Sequence, residues 1–151
     1  MSFTRLLPPA DLAGILALAA RLAELAQRAD IFALCGPLGS GKTTLARAFV
    51  QSLCGAATEV PSPSFTLLQS YDSPKGPLFH FDLFRLTGAE QTAELGLDDA
   101  FADGISLVEW PDRLGSLLPR RRLRLSLAAG PTPDSRTVTL DGDDVWRQRW
   151  Q

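Results

Sequence analysis

Ile31-Phe32-Ala33-Leu34-Cys35-Gly36-Pro37-Leu38-Gly39-Ser40-Gly41-Lys42-Thr43 is the stretch on which the fold turns. Its first five residues form an unbroken apolar run that stops at a glycine, the pattern of a strand covered on both faces. Its last eight match G-x-x-x-x-G-K-[ST]. Beyond them Leu45, Phe49, Val50 and Leu53 recur at helical spacing until Cys54-Gly55 supplies a left-handed stop. Strand, glycine-rich loop and helix thus follow in the order that a phosphate-binding loop requires. A shuffled chain of this composition would contain the pattern only about 0.002 times.

The residue types explain the chemistry. Gly36, Gly39 and Gly41 let the backbone take tight or left-handed turns, so that successive N–H groups, with those of Leu38 and Ser40, face inward around phosphate oxygens. The helix that starts near Lys42 adds the positive end of its dipole. The Lys42 ammonium reaches the outer phosphates, the Thr43 hydroxyl completes a Mg²⁺ shell, and Thr44 continues the first helical turn.

Working outward, residues 10–28 carry apolar side chains at Leu12, Ile15, Leu16, Ala19, Leu22, Leu25 and Ala26, a helical stripe. Residues 65–71 and 78–84 read as strands joined through the turn formers of residues 72–77, which predicts a hairpin. Residues 89–95 read as a short helix, and residues 105–108 as a compact apolar strand ended by Glu109-Trp110-Pro111. Leu123, Leu125 and Leu127, then Val138 and Leu140, alternate with polar residues as half-exposed strands do, around a loop at residues 130–134. Buried strands beside helices predict one α/β domain over residues 1–151, a three-layer P-loop sandwich whose mixed sheet is mostly parallel at its centre.

Composition narrows the classes. The chain has 151 residues, 45% of them apolar, with 15 basic against 17 acidic side chains and a net charge of −2, so no global field recruits a polyanion. No secretory signal and no run of 18 apolar residues occurs, which predicts a cytoplasmic protein outside the membrane. Cys35 and Cys54 have no metal-ligand spacing and read as two buried thiols.

A phosphate loop needs a carboxylate near its metal, at the C-terminal end of a neighbouring strand. Glu109 and Asp82 both qualify. We assign Glu109 to the metal and Asp82 to the attacking water, with the reverse assignment open. For each acid the structural alternative is an ion pair with an arginine such as Arg85 or Arg113. Period-two geometry puts His80 on the face of Asp82, as a hydrogen-bonded structural histidine in preference to a base. Val60-Pro61-Ser62-Pro63-Ser64-Phe65-Thr66 is a stiff segment placed like a nucleotide-sensing switch or a plain strand-entry turn, with Ser64 facing the terminal phosphate or the magnesium in the first case. Trp110 reads either as an aromatic beside the nucleotide or as a wedge on the sheet edge.

Four segments in order, Gly36 to Thr44, Ser62-Pro63-Ser64-Phe65-Thr66-Leu67, His80-Phe81-Asp82-Leu83-Phe84-Arg85-Leu86 and Val108-Glu109-Trp110-Pro111, resemble the motif series of the TsaE family over about three quarters of the chain. The resemblance implies an ATPase that binds ATP and Mg²⁺ and works with TsaD and TsaB in threonylcarbamoyl modification of a tRNA adenosine next to the anticodon. It implies tRNA contact through that complex. It matches Thr43 and Glu109 to the metal ligands, Lys42 to the phosphate lysine, Asp82 to the residue required for hydrolysis and Trp110 to an aromatic near the nucleotide. Ser64 stands where the family usually has threonine, and Phe84 where tyrosine is frequent.

Two rivals remain at this level. A small-molecule kinase would use Arg120-Arg121-Arg122-Leu123-Arg124 as a lid, although those arginines read more simply as a solvated strand face. A nucleotide-gated assembly module would act through its binding state alone. No arginine finger is evident, so hydrolysis by the isolated chain is expected to be slow. Neither Lys42 nor Lys75 belongs to an Asn-Lys-x-Asp segment, which disfavours a GTPase.

Overall fold

A computed structural model describes residues 2–151. Among the described residues five α-helices, α1 (Leu12–Leu25), α2 (Lys42–Cys54), α3 (Ala89–Glu94), α4 (Leu97–Asp103) and α5 (Asp144–Trp150), and a 3-10 helix at Pro111–Leu117 accompany seven strands. These are β1 (Ser2–Leu6), β2 (Ile31–Cys35), β3 (Leu68–Ser73), β4 (Gly76–Asp82), β5 (Ile105–Glu109), β6 (Leu123–Ala129) and β7 (Arg136–Asp143). They form one sheet in the order β1-β7-β6-β2-β5-β4-β3. The central four, β6, β2, β5 and β4, are mutually parallel, and the β1–β7, β6–β7 and β3–β4 pairs are antiparallel. The α/β sandwich with a mixed sheet, parallel at its centre, is therefore the observed fold.

The burial of β2 explains its position. Phe32 and Leu34 point into the larger core with α1, α2 and α5, whereas Ile31 and Ala33 point into the smaller core with α4, Phe81 and Val108. A strand with both faces covered must be apolar at every position, which its sequence is. Phe32 anchors the larger layer, with the Phe49 ring centroid at 5.1 Å and that of Trp146 at 5.4 Å. Truncating such a ring costs about 3–5 kcal/mol.

The helices differ from the sequence reading in detail. α1 begins where the Asp11 carboxylate accepts from Gly14 N at 2.9 Å. It buries Ile15, Leu18, Ala19, Leu22 and Ala23, so its core face is rotated away from Leu12 and Leu16, which are exposed. At its far end Lys75 Nζ donates to the carbonyls of Ala23, Glu24 and Ala26 at 2.9, 2.6 and 2.7 Å. A cation from the β3–β4 hairpin thereby satisfies the orphan carbonyls of a helix. The hairpin is tighter than the turn-rich segment 72–77 suggests, because Ser73 pairs with Gly76 and only Pro74 and Lys75 lie between the strands. β3 starts at Leu68, since residues 63–66 form a turn closed by Leu67 N donating to Pro63 O at 2.6 Å.

Three elements, β1, α4 and α5, carry no clear sequence signal. β1 is an edge strand that buries only Phe3, and α5 is a seven-residue helix that buries Trp146 and Trp150. Arg149 anchors α5, donating to the buried Asp30 carboxylate at 2.5 Å.

Candidate functional site

The C-terminal ends of β2, β5 and β4 meet at one edge of the sheet, the place where open α/β sheets bind ligands. The chain leaves β2 into the loop of residues 36–41, and Gly36, Gly39 and Gly41 all have positive φ, at 144, 78 and 103°. Gly36 also permits close approach, because a Cβ there would lie 2.6 Å from both Leu127 O and Ser40 Oγ. Gly41 caps α2 from the left-handed region, so the first turn of that helix opens directly onto the loop.

Lys42 is buried despite its charge. Its Nζ donates to Gly36 O at 2.5 Å and Pro37 O at 2.9 Å, and lies 4.1 Å from the centroid of the Trp110 ring. Burial holds the ammonium below the ordinary lysine value of 10.5, an effect that Glu109 and Asp82 partly oppose. Trp110 itself has φ 57°, in the left-handed region, and packs against Phe84 at a centroid separation of 4.9 Å. Its ring lines the cleft near the ammonium and also packs against the smaller core.

The acids fall into two separate pairs. Thr43 Oγ1 donates to Glu109 Oε1 at 2.9 Å, while His80 Nε2 lies 2.6 Å from Glu109 Oε2 with both side chains buried. One residue across the parallel register, Asp82 sits beside Glu109. Its Oδ2 accepts from Ser64 Oγ at 3.2 Å and its Oδ1 from Phe84 N at 3.1 Å, and Ser64 Oγ is 2.7 Å from Ser62 Oγ. Neither acid is paired with Arg85 or Arg113 among the described residues. The Asp82 backbone N donates to the carbonyl of Leu67, a second non-glycine residue at positive φ. The segment of residues 60–66 is thus bound to the end of β4.

Together these groups line an open cleft of about 470 Å³. Of the candidate site residues named in the sequence, Leu38, Gly39, Ser40, Gly41, Lys42, Thr43, Thr44, Ser64, Asp82, Glu109 and Trp110 line its wall, and Gly36 does not. Arg85, weighed in the sequence only as an ion-pair partner for the acids, and Arg136 also line it. Arg136 is not singled out in the sequence, and its Nη2 donates to Gly39 O at 3.3 Å. Arg120, Arg122 and Arg124 line a different cleft with Asp141 and Asp143, so the arginine run is no lid over the loop. Cys35 and Cys54 are free thiols, and burial raises the pKa of the Cys35 thiol.

The donor set fits a magnesium–nucleotide complex. Ser40 Oγ is buried without a protein partner, Gly36, Gly39 and Gly41 add no side chains to the loop, and a hydroxyl and a carboxylate adjoin each other at its end. Among the described residues no group of three or more His, Cys, Asp or Glu side chains could hold a metal by itself. Two protein oxygens beside a phosphate site are the arrangement that suits a hard cation shared with the ligand.

A family model described as "Threonylcarbamoyl adenosine biosynthesis protein TsaE" matches residues 10–138. A tRNA threonylcarbamoyladenosine biosynthesis protein TsaE from Rickettsia bellii is 39% identical over 98 residues, spanning 65% of this chain and 68% of the relative. The protein of that name from Bacillus subtilis is 36% identical over 125 residues, spanning 82% and 77%. The crystal structure of Bacillus subtilis YdiB superposes with a TM-score of 0.75 at 28% identity, covering 99% of this chain and 92% of that one. No helix among the described residues is long and apolar enough to cross a membrane.

Proposed function

The chain belongs to the TsaE family of tRNA threonylcarbamoyladenosine biosynthesis, and from that premise we propose that it is a magnesium-dependent ATPase whose cycle drives partner proteins. The observation that carries the reading is the Thr43–Glu109 contact at 2.9 Å, set at the mouth of the glycine loop beside Lys42.

In this reading the backbone amides from Gly39 to Thr44 hold the phosphates, and the Lys42 ammonium moves from the loop carbonyls onto the outer phosphate oxygens. Thr43 and Glu109 would hold Mg²⁺, which would supply charge neutralisation to the phosphates. Asp82, steadied by Ser64 and the Phe84 amide, orients the attacking water and accepts its proton as the bond from the terminal phosphorus to the bridging oxygen breaks. Trp110 forms an aromatic platform under the ammonium. Ser64 reports the state of the terminal phosphate through the 60–66 segment.

The partners in this reading are TsaD and TsaB, with tRNA contacted through their complex, and the setting is the cytoplasm. Reconstitution tests it: ATP consumption and modified tRNA are both measured with the chain alone and with TsaD and TsaB. Slow turnover alone and faster turnover with partners is the expected result. Turnover indifferent to the partners contradicts it.

A further inference from the structure

Among the described residues three basic side chains line the phosphate cleft, and they differ in what holds them. Lys42 donates to the carbonyls of Gly36 and Pro37, and Arg136 to those of Gly39, Pro133 and Ser135. Arg85 has no hydrogen bond or ion pair among the described residues; its guanidinium lies over the Phe65 ring, with Cζ 4.8 Å from the centroid. We propose that Arg85 is a catalytic residue, an arginine finger supplied within the chain, which leaves Phe65 to donate to the terminal phosphate oxygens during hydrolysis; the proposal rests on the ATPase reading above.

The backbone under Arg85 is pinned while its side chain stands in solvent. The buried Leu83 donates its N to Glu109 O at 3.1 Å, and Leu86 N closes the turn on Leu83 O at 3.1 Å. Between them Phe84 N donates to Asp82 Oδ1 at 3.1 Å, so Arg85 projects from the same turn that orients the Asp82 carboxylate. Its perch belongs to the other partner of that carboxylate. Phe65 follows Ser64, whose hydroxyl donates to Asp82 Oδ2 at 3.2 Å, and the Phe65 ring is 84% exposed. A terminal phosphate that moves Ser64 therefore also moves the ring on which the guanidinium rests. An exposed cation–π contact is weak and charge-assisted hydrogen bonds to phosphate are strong, so the exchange favours the phosphate.

Charge balance separates Arg85 from its neighbours. Glu109 is committed to Thr43 and His80, and Asp82 to Ser64 and the Phe84 amide, so neither acid neutralises the guanidinium. Arg136 is occupied by three carbonyls, and Arg113, 5.8 Å from the Phe84 centroid, does not line the cleft. In the reaction the water oxygen bonds to the terminal phosphorus, Asp82 takes the water proton, and the electron pair of the breaking bond passes to the bridging oxygen. Negative charge spreads over the oxygens around that phosphorus, and a planar guanidinium can donate to two of them at once. With Arg85 resting on Phe65, slow hydrolysis by the isolated chain is the expected resting behaviour.

The test uses Arg85→Ala and Arg85→Lys in the full chain, with calorimetry of magnesium ATP and of magnesium ADP with aluminium fluoride, a mimic of the phosphate in transfer. Because Arg85 is exposed, both variants should melt as the wild type does. An arginine within the chain predicts that the isolated wild type binds the aluminium fluoride complex. Arg85→Ala should bind magnesium ATP within a few-fold of wild type, yet lose about 10²-fold in affinity for that complex and in hydrolysis. Arg85→Lys should recover only part of the loss, and added methylguanidine should partly restore hydrolysis in Arg85→Ala, which a merely structural role would not allow. Wild-type affinity of Arg85→Ala for the aluminium fluoride complex, or equal losses for that complex and for magnesium ATP, overturns the role of Arg85 while the phosphate loop stands. A wild type that binds magnesium ATP but not the aluminium fluoride complex overturns it too. Failure of the wild type to bind magnesium ATP overturns the phosphate-loop reading itself.

Discussion

His80 Nε2 stands 2.6 Å from Glu109 Oε2 across adjacent parallel strands, and both side chains are buried. The carboxylate is thereby oriented with its other oxygen toward Thr43. A histidine on β4 aims an acid on β5 at the first turn of α2.

His80→Phe keeps an aromatic ring in the buried position and removes the polar nitrogen. It should destabilise the fold by about 1–3 kcal/mol, because one oxygen of a buried acid loses its partner. Magnesium affinity in the nucleotide complex should fall about tenfold, as it does when the group supporting a metal ligand is lost. Thermal melts and magnesium titrations check the two effects separately.

Glu109→Gln preserves shape and the contacts that an amide can make, so the melting temperature should stay within a few degrees while magnesium stimulation of nucleotide binding disappears. Glu109→Ala should unfold more easily, by about 1–3 kcal/mol, since it strands His80 in the interior. Magnesium stimulation retained in the glutamine variant would exclude Glu109 as the metal residue.

Asp82→Asn should bind magnesium ATP within a few-fold of wild type and lose turnover by about 10²–10⁴, the usual contribution of a positioned base. Parallel calorimetry and phosphate-release measurements check it. A loss confined to binding would favour the reverse assignment of the two acids.

Lys42 provides a pH prediction with opposite signs in two measurements. Burial holds its pKa below 10.5, so in the alkaline window beneath 10.5 the folded state binds fewer protons than the unfolded state. The Lys42 contribution to stability therefore rises with pH through that window. Phosphate binding needs the charged form, so nucleotide affinity should fall as pH rises through the same window, from a lower pH than an ordinary lysine would give. Lys42→Arg should show no such fall there, because arginine stays protonated.

The legible parts of the fold were those whose residues obey one period. β2 is uniformly apolar because both faces are covered, and the glycine loop announces its own conformation through residues 36, 39 and 41. β1 was silent, since an edge strand that buries one side chain in five shows no alternation. α5 was silent because seven residues are too few for a stripe, although Trp146 and Trp150 lie one turn apart. Within the site, Lys42, Thr43, Asp82 and Glu109 were readable from motif and strand end. The pairing of His80 with Glu109, and the entry of Arg85 and Arg136 into the cleft, depend on strand order, which no local pattern encodes.

The most direct measurement is calorimetry of magnesium ATP against the folded wild-type chain and against Lys42→Ala. The account predicts magnesium-dependent binding at one site, weakened at least about tenfold when the charge-assisted contacts of the ammonium are removed. Absence of binding to the folded wild type, or equal affinity in the two proteins, would contradict it.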